Sequence, residues 1–433
     1  MLRPASNELL PEVDVFHKEE RIVNRSIQSM KILFVHALAD PNAGGGAEVT
    51  LWTLMRAMTR LGHECVLLAA SDKAGLRKEV IEGVTVYSAK LRNVYLPQHN
   101  KQRSGMQKIL WHALDSSNPF MQNVLRDVVA AEQPDVASVH CLSGWSVLAM
   151  RTLKRAGLPI VQVLHGYEYI CVRSTMYHNE KNCESQCRSC RLFRLPHREL
   201  SKRADAVVGV SSFILERHLE QGYFADVPIR RVIHNARDPR SLGVGAVAAP
   251  RPPDEPLRIG YIGRLDPSKG IKLLLRAFDE ADLGNAQLWI AGGGQPNHEH
   301  SLRSELVSKR VRFLGRVPQR AFYPNVDFTV VPSLWEEPLG MVVAESMAFG
   351  KPVIGAKRGG ISEMIVNGEN GLLFDPESAD ELVRAMETLA QDSSLRFRMS
   401  EKAQASAQAL VNPEAWAKQY VSLYEEISGV ISA

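Results

Sequence analysis

No stretch of this 433-residue chain approaches the roughly 20 uninterrupted apolar residues that a membrane-spanning helix needs. The amino terminus, MLRPASNELLPEVDVFHKEE, lacks the basic start and apolar run of a secretory leader. A soluble, cytoplasmic protein is therefore expected. Cysteine is scarce, six residues in all, so reduced thiols or metal ligands are expected rather than a disulfide framework. A net charge of only +4 gives no reason to expect a nucleic acid partner. Two glycine signatures are missing as well. The glycines after the first strand have neither the G-x-G-x-x-G spacing of a dinucleotide site nor the G-K-[ST] ending of a P-loop, which weighs against nicotinamide cofactors and ATP hydrolysis.

What is present is an ordinary globular composition, 45% hydrophobic and 23% charged, on a chain longer than one hydrophobic core usually supports. Two domains are the natural expectation. Residues 1–29 are polar and lack period, which suggests a disordered extension; alternatively, translation begins at Met30. From Lys31 the chain reads KILFVHAL, the turn-rich DPNAGGGAE, an amphipathic helix from Val49 to about Leu61 closed by Gly62, and CVLLAA. This is a βαβ opening. Helices near Met121–Glu132 and Trp145–Ala156 lead into DVASVH and PIVQVLH, and AVVGV precedes SSFILERHL. Such alternation predicts an α/β fold with a doubly wound parallel sheet, here an N-terminal Rossmann-like domain over 30–238.

Residues 239–256, rich in proline, glycine and alanine, predict a linker. A second Rossmann-like domain is expected over 257–412. Its strands are LRIGYIGR, AQLWIAGGG, VRFLGR, FTVVPS and PVIGA; its helices lie at Ile271–Phe278, Ser301–Ser308, Met341–Phe349 and Ala379–Gln391. Residues 413–433 are expected to form a helix that crosses back to the first domain.

Three segments carry chemistry. Gly44, Gly45 and Gly46 lie between the first strand and helix, where backbone N–H groups can approach an anion, although a tight turn explains them equally well. In YIGRLDPSKG, Arg264 and Lys269 flank the carboxyl end of a strand, where ligands of open α/β sheets bind, and two cations on one loop suit a diphosphate. In SLWEEPLG, Glu337 precedes a Pro-Leu-Gly elbow and a helix carrying Glu345. Carboxylates accept hydrogen bonds from sugar hydroxyls, and the N–H groups of Leu339, Gly340 and Met341 at the helix start can take phosphate.

Taken in order, GGGAE, VLHGYE, VIHNARD, YIGRLDPSKG, FLGRVP and EEPLGMVVAESMAFGKPVIGAKRGGISEMIVNGENGLLF resemble glycosyltransferase family 4, whose members have the GT-B fold, two Rossmann-like domains facing a central cleft, and retain anomeric configuration. The resemblance covers about residues 31–427. It implies a nucleotide-sugar donor, UDP- or GDP-linked, with Gly45 and Gly46 near its phosphates and Arg264 and Lys269 neutralising the leaving diphosphate. Glu337 would then bind donor-sugar hydroxyls, Glu345 the ribose, and the Val317 backbone the base. Asn235 would join the donor site, and His165 would look toward the reacting sugar. Gly166 and Ala236 depart from the Asp and Gly usual after these His and Asn positions. No D-x-D pair occurs, so neither a bridging metal nor any other catalytic cofactor is expected. The implied acceptor is a glycan or a lipid-linked molecule in polysaccharide, glycolipid or cell-envelope synthesis. A non-catalytic sugar-nucleotide-binding protein, a GT-B sugar phosphorylase and a nucleotide-sugar epimerase are the rival readings.

One further motif stands apart. Cys171, Cys183, Cys187 and Cys190 are spaced C-x11-C-x3-C-x2-C, which suits structural zinc or an iron–sulfur cluster as well as free thiols; His178 is a weaker ligand candidate. The same stretch is basic, with Arg188, Arg191, Arg194, Arg198, Lys202 and Arg203, and a second basic stretch spans 90–114. These suit either a solvated face or an anionic acceptor at the inner face of a membrane, with the protein bound there peripherally.

Overall fold

The computed structural model describes residues 29–40, 46–96, 103–245, 251–252, 255–304 and 308–429. The 1–28 extension, Gly44 and Gly45 lie outside these. The first half has ten strands, β1 (Lys31–His36), β2 (Glu64–Ser71), β3 (Leu76–Ile81), β4 (Val84–Lys90), β5 (Val136–Val139), β6 (Ile160–Leu164), β7 (Tyr177–His178), β8 (Lys181–Asn182), β9 (Ala206–Gly209) and β10 (Ile229–Val232), eight of which build one sheet. The order is β10-β9-β6-β5-β1-β2-β4-β3, with β7 and β8 apart as a small antiparallel hairpin. All pairings in the large sheet are parallel except β3 with β4. β1 sits centrally, and its residues 32–36 are fully buried, as a near-continuous apolar run flanked by strands and covered on both faces requires. β3 reads LRKEVI, almost wholly exposed; its charges suit an edge and leave no apolar run from which a strand could be read.

Around this sheet lie α1 (Gly46–Arg60), α2 (Gly105–Ser116), α3 (Gln122–Glu132), α4 (Leu148–Arg155), α5 (Arg188–Phe193), α6 (Leu195–Ser201) and α7 (Ser212–Glu220). α1 begins three residues earlier than its apolar period suggests, since Gly46, Ala47 and Glu48 add a turn with an acidic residue at its positive end.

After α8 (Pro239–Leu242) comes a second, all-parallel sheet of β11 (Arg258–Ile262), β12 (Gln287–Ala291), β13 (Val311–Gly315), β14 (Phe328–Val331), β15 (Val353–Ala356) and β16 (Gly371–Phe374), ordered β13-β12-β11-β14-β15-β16. Its helices are α9 (Ile271–Glu280), α10 (Pro296–Ser304), α11 (Gln319–Phe322), α12 (Met341–Ala348), α13 (Ile361–Met364), α14 (Ala379–Gln391) and α15 (Ser393–Ala407). α10 starts five residues before the expected Ser301, at a proline suited to a first helical position. The chain ends in α16 (Pro413–Ser428), which packs on α1 and buries Trp416, Tyr420 and Tyr424 in the core of the first sheet.

The strand order reverses between β11 and β14. In open parallel sheets that reversal opens a crevice at the carboxyl ends of the two strands. The loops leaving those ends carry Arg264 and Lys269 after β11, and Ser333 to Gly340 after β14.

Candidate active site

A cleft of about 510 Å3 lies between the halves. On one wall are Gly46, Glu48 and Thr50 of α1, with His165, Asn235 and Arg237; on the other are Arg264, Lys269, Glu337 and the Leu339–Gly340–Met341 start of α12. Nine of the expected residues thus share one cavity: Gly46, His165, Asn235, Arg264, Lys269, Glu337, Leu339, Gly340 and Met341. Val317 and Glu345 do not line it. Val317 follows β13 and packs with an apolar cluster around Phe322 and Tyr323.

The acidic loop is held by glycine. Gly340 caps α12 with φ +86°, and a Cβ there would approach Ile361 to 2.9 Å. A Cβ on Gly359 would meet the Glu337 carbonyl at 2.1 Å, so the following Arg-Gly-Gly segment can lie directly against the elbow only because it lacks side chains. Glu337, buried, accepts from the Lys269 ammonium at 2.6 Å and from the Ser333 hydroxyl at 2.8 Å. Burial alone would raise its carboxyl, but the Lys269 charge and these hydrogen bonds outweigh that and hold it below the usual carboxylate range. Lys269 also lies 4.9 Å from the Trp335 ring centre. Arg264 is exposed at the cleft mouth, its carbonyl fixed by the Tyr261 hydroxyl at 2.7 Å.

Glu345 is not free to meet a ligand in this arrangement. It is buried and ion-paired at 2.8 Å with Arg237, whose guanidinium also donates to Thr50 of α1 at 2.7 Å, while the Tyr323 hydroxyl donates to its other oxygen at 3.3 Å. Arg237 was not anticipated from the sequence; its signal was the cation in HNARD immediately after a strand. The neighbouring Asn235 is buried, and among the described residues its Oδ1 has no hydrogen-bond partner.

His165 lies at the end of a hydrogen-bonded row. The Tyr424 hydroxyl of α16 donates to Ser138 at 2.8 Å, Ser138 Oγ is 3.0 Å from His140 Nε2, and His140 Nδ1 is 2.8 Å from His165 Nε2. Because Tyr424 donates, the Ser138 proton goes to His140 Nε2. His140 then donates from Nδ1, and His165 keeps its own proton on Nδ1. Burial pulls His165 down to about 3 and His140 well below the ordinary range, so the row is neutral. Nearby, burial pushes Glu168 up to about 7 where it accepts from Cys141 Sγ at 3.1 Å. The HGYE motif contained this carboxyl, but nothing in its spacing marked it.

Among the described residues no group of three or more His, Cys, Asp or Glu side chains is arranged to hold a metal ion, and all four loop cysteines are free thiols. Cys171 and Cys190 hydrogen-bond to each other, and Cys187, exposed ahead of α5, contacts Cys190 as well as the Ser189 hydroxyl at 3.2 Å. The loop instead delivers Asn182 on β8. Its side-chain amide donates to the Leu334 carbonyl at 2.8 Å and accepts from the Glu336 N–H at 3.0 Å, gripping the loop that carries Glu337; the Tyr167 hydroxyl adds a bond to the Glu336 carbonyl at 2.8 Å.

Comparison with known proteins finds relatives of both halves. Residues 45–236 match the model for the glycosyl transferase 4-like domain and residues 247–406 that for glycosyl transferases group 1. The chain is 30% identical to D-inositol 3-phosphate glycosyltransferase of Corynebacterium glutamicum over 311 residues, 67% of this chain and 72% of that one. It is 33% identical over 226 residues to the lipopolysaccharide core biosynthesis glycosyltransferase LpsE of Rhizobium meliloti, 51% of this chain and 64% of that one. In fold it is similar to Anabaena HepE in complex with UDP-glucose, with a TM-score of 0.64 at 20% identity over 92% of this chain and all of that one.

Proposed function

This chain belongs to the family 4 glycosyltransferases of GT-B fold, and from that premise we propose that it moves a hexose, with retention, from a UDP- or GDP-sugar to a hydroxyl of a glycan or lipid-linked acceptor. One observation carries the reading: two cations and a helix start converge on one wall of a cleft whose other wall holds Gly46 and His165. That suits a diphosphate on the first wall and its sugar between the two. The relative named for lipopolysaccharide core synthesis supports a place in envelope glycan assembly.

In the proposed reaction the bond from the sugar's anomeric carbon to the diphosphate oxygen breaks, and its electron pair leaves with the phosphate. The acceptor oxygen bonds to that carbon on the same face, and its proton passes to the departing phosphate. Arg264, Lys269 and the N–H groups of Leu339, Gly340 and Met341 stabilise the charge that develops, and this is the dominant contribution to rate. Glu337 orients the sugar hydroxyls, and neutral His165 offers its Nδ1–H toward the sugar. Asn235, with its unmet acceptor, completes the donor side.

The test is product analysis. Purified protein is screened against UDP- and GDP-hexoses by thermal shift, and the product made from the best donor is read by NMR for its anomeric configuration. Inversion would overturn the retaining assignment. Arg264→Ala lowers kcat roughly a hundredfold, corresponding to about 3 kcal/mol of transition-state stabilisation; unchanged turnover contradicts its role.

A further inference from the structure

Helix α2 turns an apolar face outward. Met106, Ile109, Leu110 and Ala113, spaced i, i+3, i+4, i+7, are all exposed, whereas Trp111 and Asp115 point inward. Beside it, α5 and the start of α6 expose Leu192 and Leu195. The five large side chains are between 52% and 75% exposed. The two elements form one surface, since Ser116 of α2 donates to the Phe193 carbonyl at 2.6 Å and the His112 ring lies 6.1 Å from that of Phe193. Solitary exposed leucines are normal, but five large apolar side chains on one contiguous face are not.

The charge around this face is predominantly positive, with exposed Glu199 of α6 paired to Lys202 at 3.6 Å. Arg188, Arg191 and Arg198 are exposed along α5 and α6, and Lys108 is half-buried on α2. From 103 to 114 no acidic residue occurs, and Asp115 is buried in an ion pair with Arg194. An aliphatic stripe with a cationic border is the pattern of a helix lying in a lipid interface. Protein hot spots, by contrast, favour buried tryptophan and tyrosine, which the stripe lacks.

The face also adjoins the reaction site. Asp115, in the last turn of α2, accepts the Gly144 N–H at 2.7 Å, on the loop that leaves β5 through His140. His140 in turn holds His165 in the cleft.

We propose that this α2–α5–α6 face docks the protein on an anionic lipid surface, bringing the first-half wall of the cleft up to a lipid-borne acceptor. Only the nature of the acceptor rests on the glycosyltransferase reading; the docking does not. The experiment is co-sedimentation of the full chain with phosphatidylcholine vesicles and with vesicles that also contain phosphatidylglycerol. Binding is expected to the anionic vesicles and to weaken as salt rises. Leu110→Asp with Leu192→Asp lowers the bound fraction at least roughly tenfold. Arg188→Ala with Arg191→Ala lowers it roughly twentyfold. The thermal midpoint is unchanged, because these side chains are exposed. No binding to either vesicle, or full binding by both variants, overturns the proposal. So does a wild-type dimer that binds no vesicles and that the leucine substitutions dissolve, which would make the face a protein interface. Binding of UDP and of GDP, read by calorimetry in the same samples, separates the two ideas: binding of neither by the wild type would sink the transferase reading alone.

Discussion

Arg237 and Glu345 stand 108 residues apart in the chain, and together with Thr50 they tie α1 to α12 through a buried ion pair. Removing one member of such a pair leaves an uncompensated buried charge. Arg237→Ala should therefore cost about 3 kcal/mol in urea unfolding, and adding Glu345→Gln should recover part of it. If Arg237→Ala unfolds like the wild type, the pair does not carry the charge balance assigned to it.

The histidine row makes a second residue-scale prediction. His165 titrates at about 3 in the fold but at 6.5 in the unfolded chain, so below pH 6.5 the unfolded state takes up a proton that the folded state refuses. Stability is lost as pH falls from 6.5 toward about 3. Glu168, raised to about 7 from 4.5, works the other way: its contribution is full below pH 4.5 and is lost as pH rises through 7. Comparing variants isolates the histidine. The urea midpoint of His165→Asn should decline less steeply than that of the wild type between pH 6.5 and 5.

At the scale of elements, the loop of Glu337 is gripped from both sides. Gly359 lets one strand end lie against it, and the β7–β8 hairpin reaches it from the other half through Asn182. Gly359→Ala would force a methyl group into the Glu337 carbonyl and should abolish UDP binding in calorimetry. Asn182→Ala removes two hydrogen bonds of about 1 kcal/mol each, so the donor KM should rise roughly thirtyfold with kcat little changed. An equal fall in both would argue that the hairpin acts on the reaction rather than on the loop's position.

These elements also show what the sequence could disclose. β1 was legible because ILFV is an unbroken apolar run within it, and the cleft's cations were legible because they follow a strand end. The partner that Glu345 takes was not, because Arg237 lies in a different half and no local period links the two. The cysteine spacing was legible as a pattern but not as geometry. Ligand spacing says nothing about which partner each thiol takes, and Cys187 takes the Ser189 hydroxyl as well as Cys190. The β8 asparagine inside that loop had no signal of its own, because its two partners belong to the second sheet's loop.

At the scale of the molecule, the two sheets aim their carboxyl ends at one cleft, and several contacts cross it. Glu363 of α13 accepts from the first N–H groups of α7 at 2.9 and 2.7 Å, Ser211 donates to the Pro338 carbonyl, and His234 lies 3.3 Å from Glu363. Removing residues 413–433 would expose the face of α1 that α16 covers and strip Tyr424 from the histidine row. The truncated chain should be recovered aggregated, or should unfold well below the full-length thermal midpoint; recovery of a stable, active protein would show α16 to be dispensable.

Because α16 supplies three large aromatic side chains to a core built around the strand that begins at Lys31, that core is assembled from segments far apart in the chain. During synthesis the βαβ unit that begins at Lys31 must wait, incompletely covered, until α16 has cleared the ribosome. The half of the protein made first is thus finished last, and that interval is when it most needs protection from aggregation.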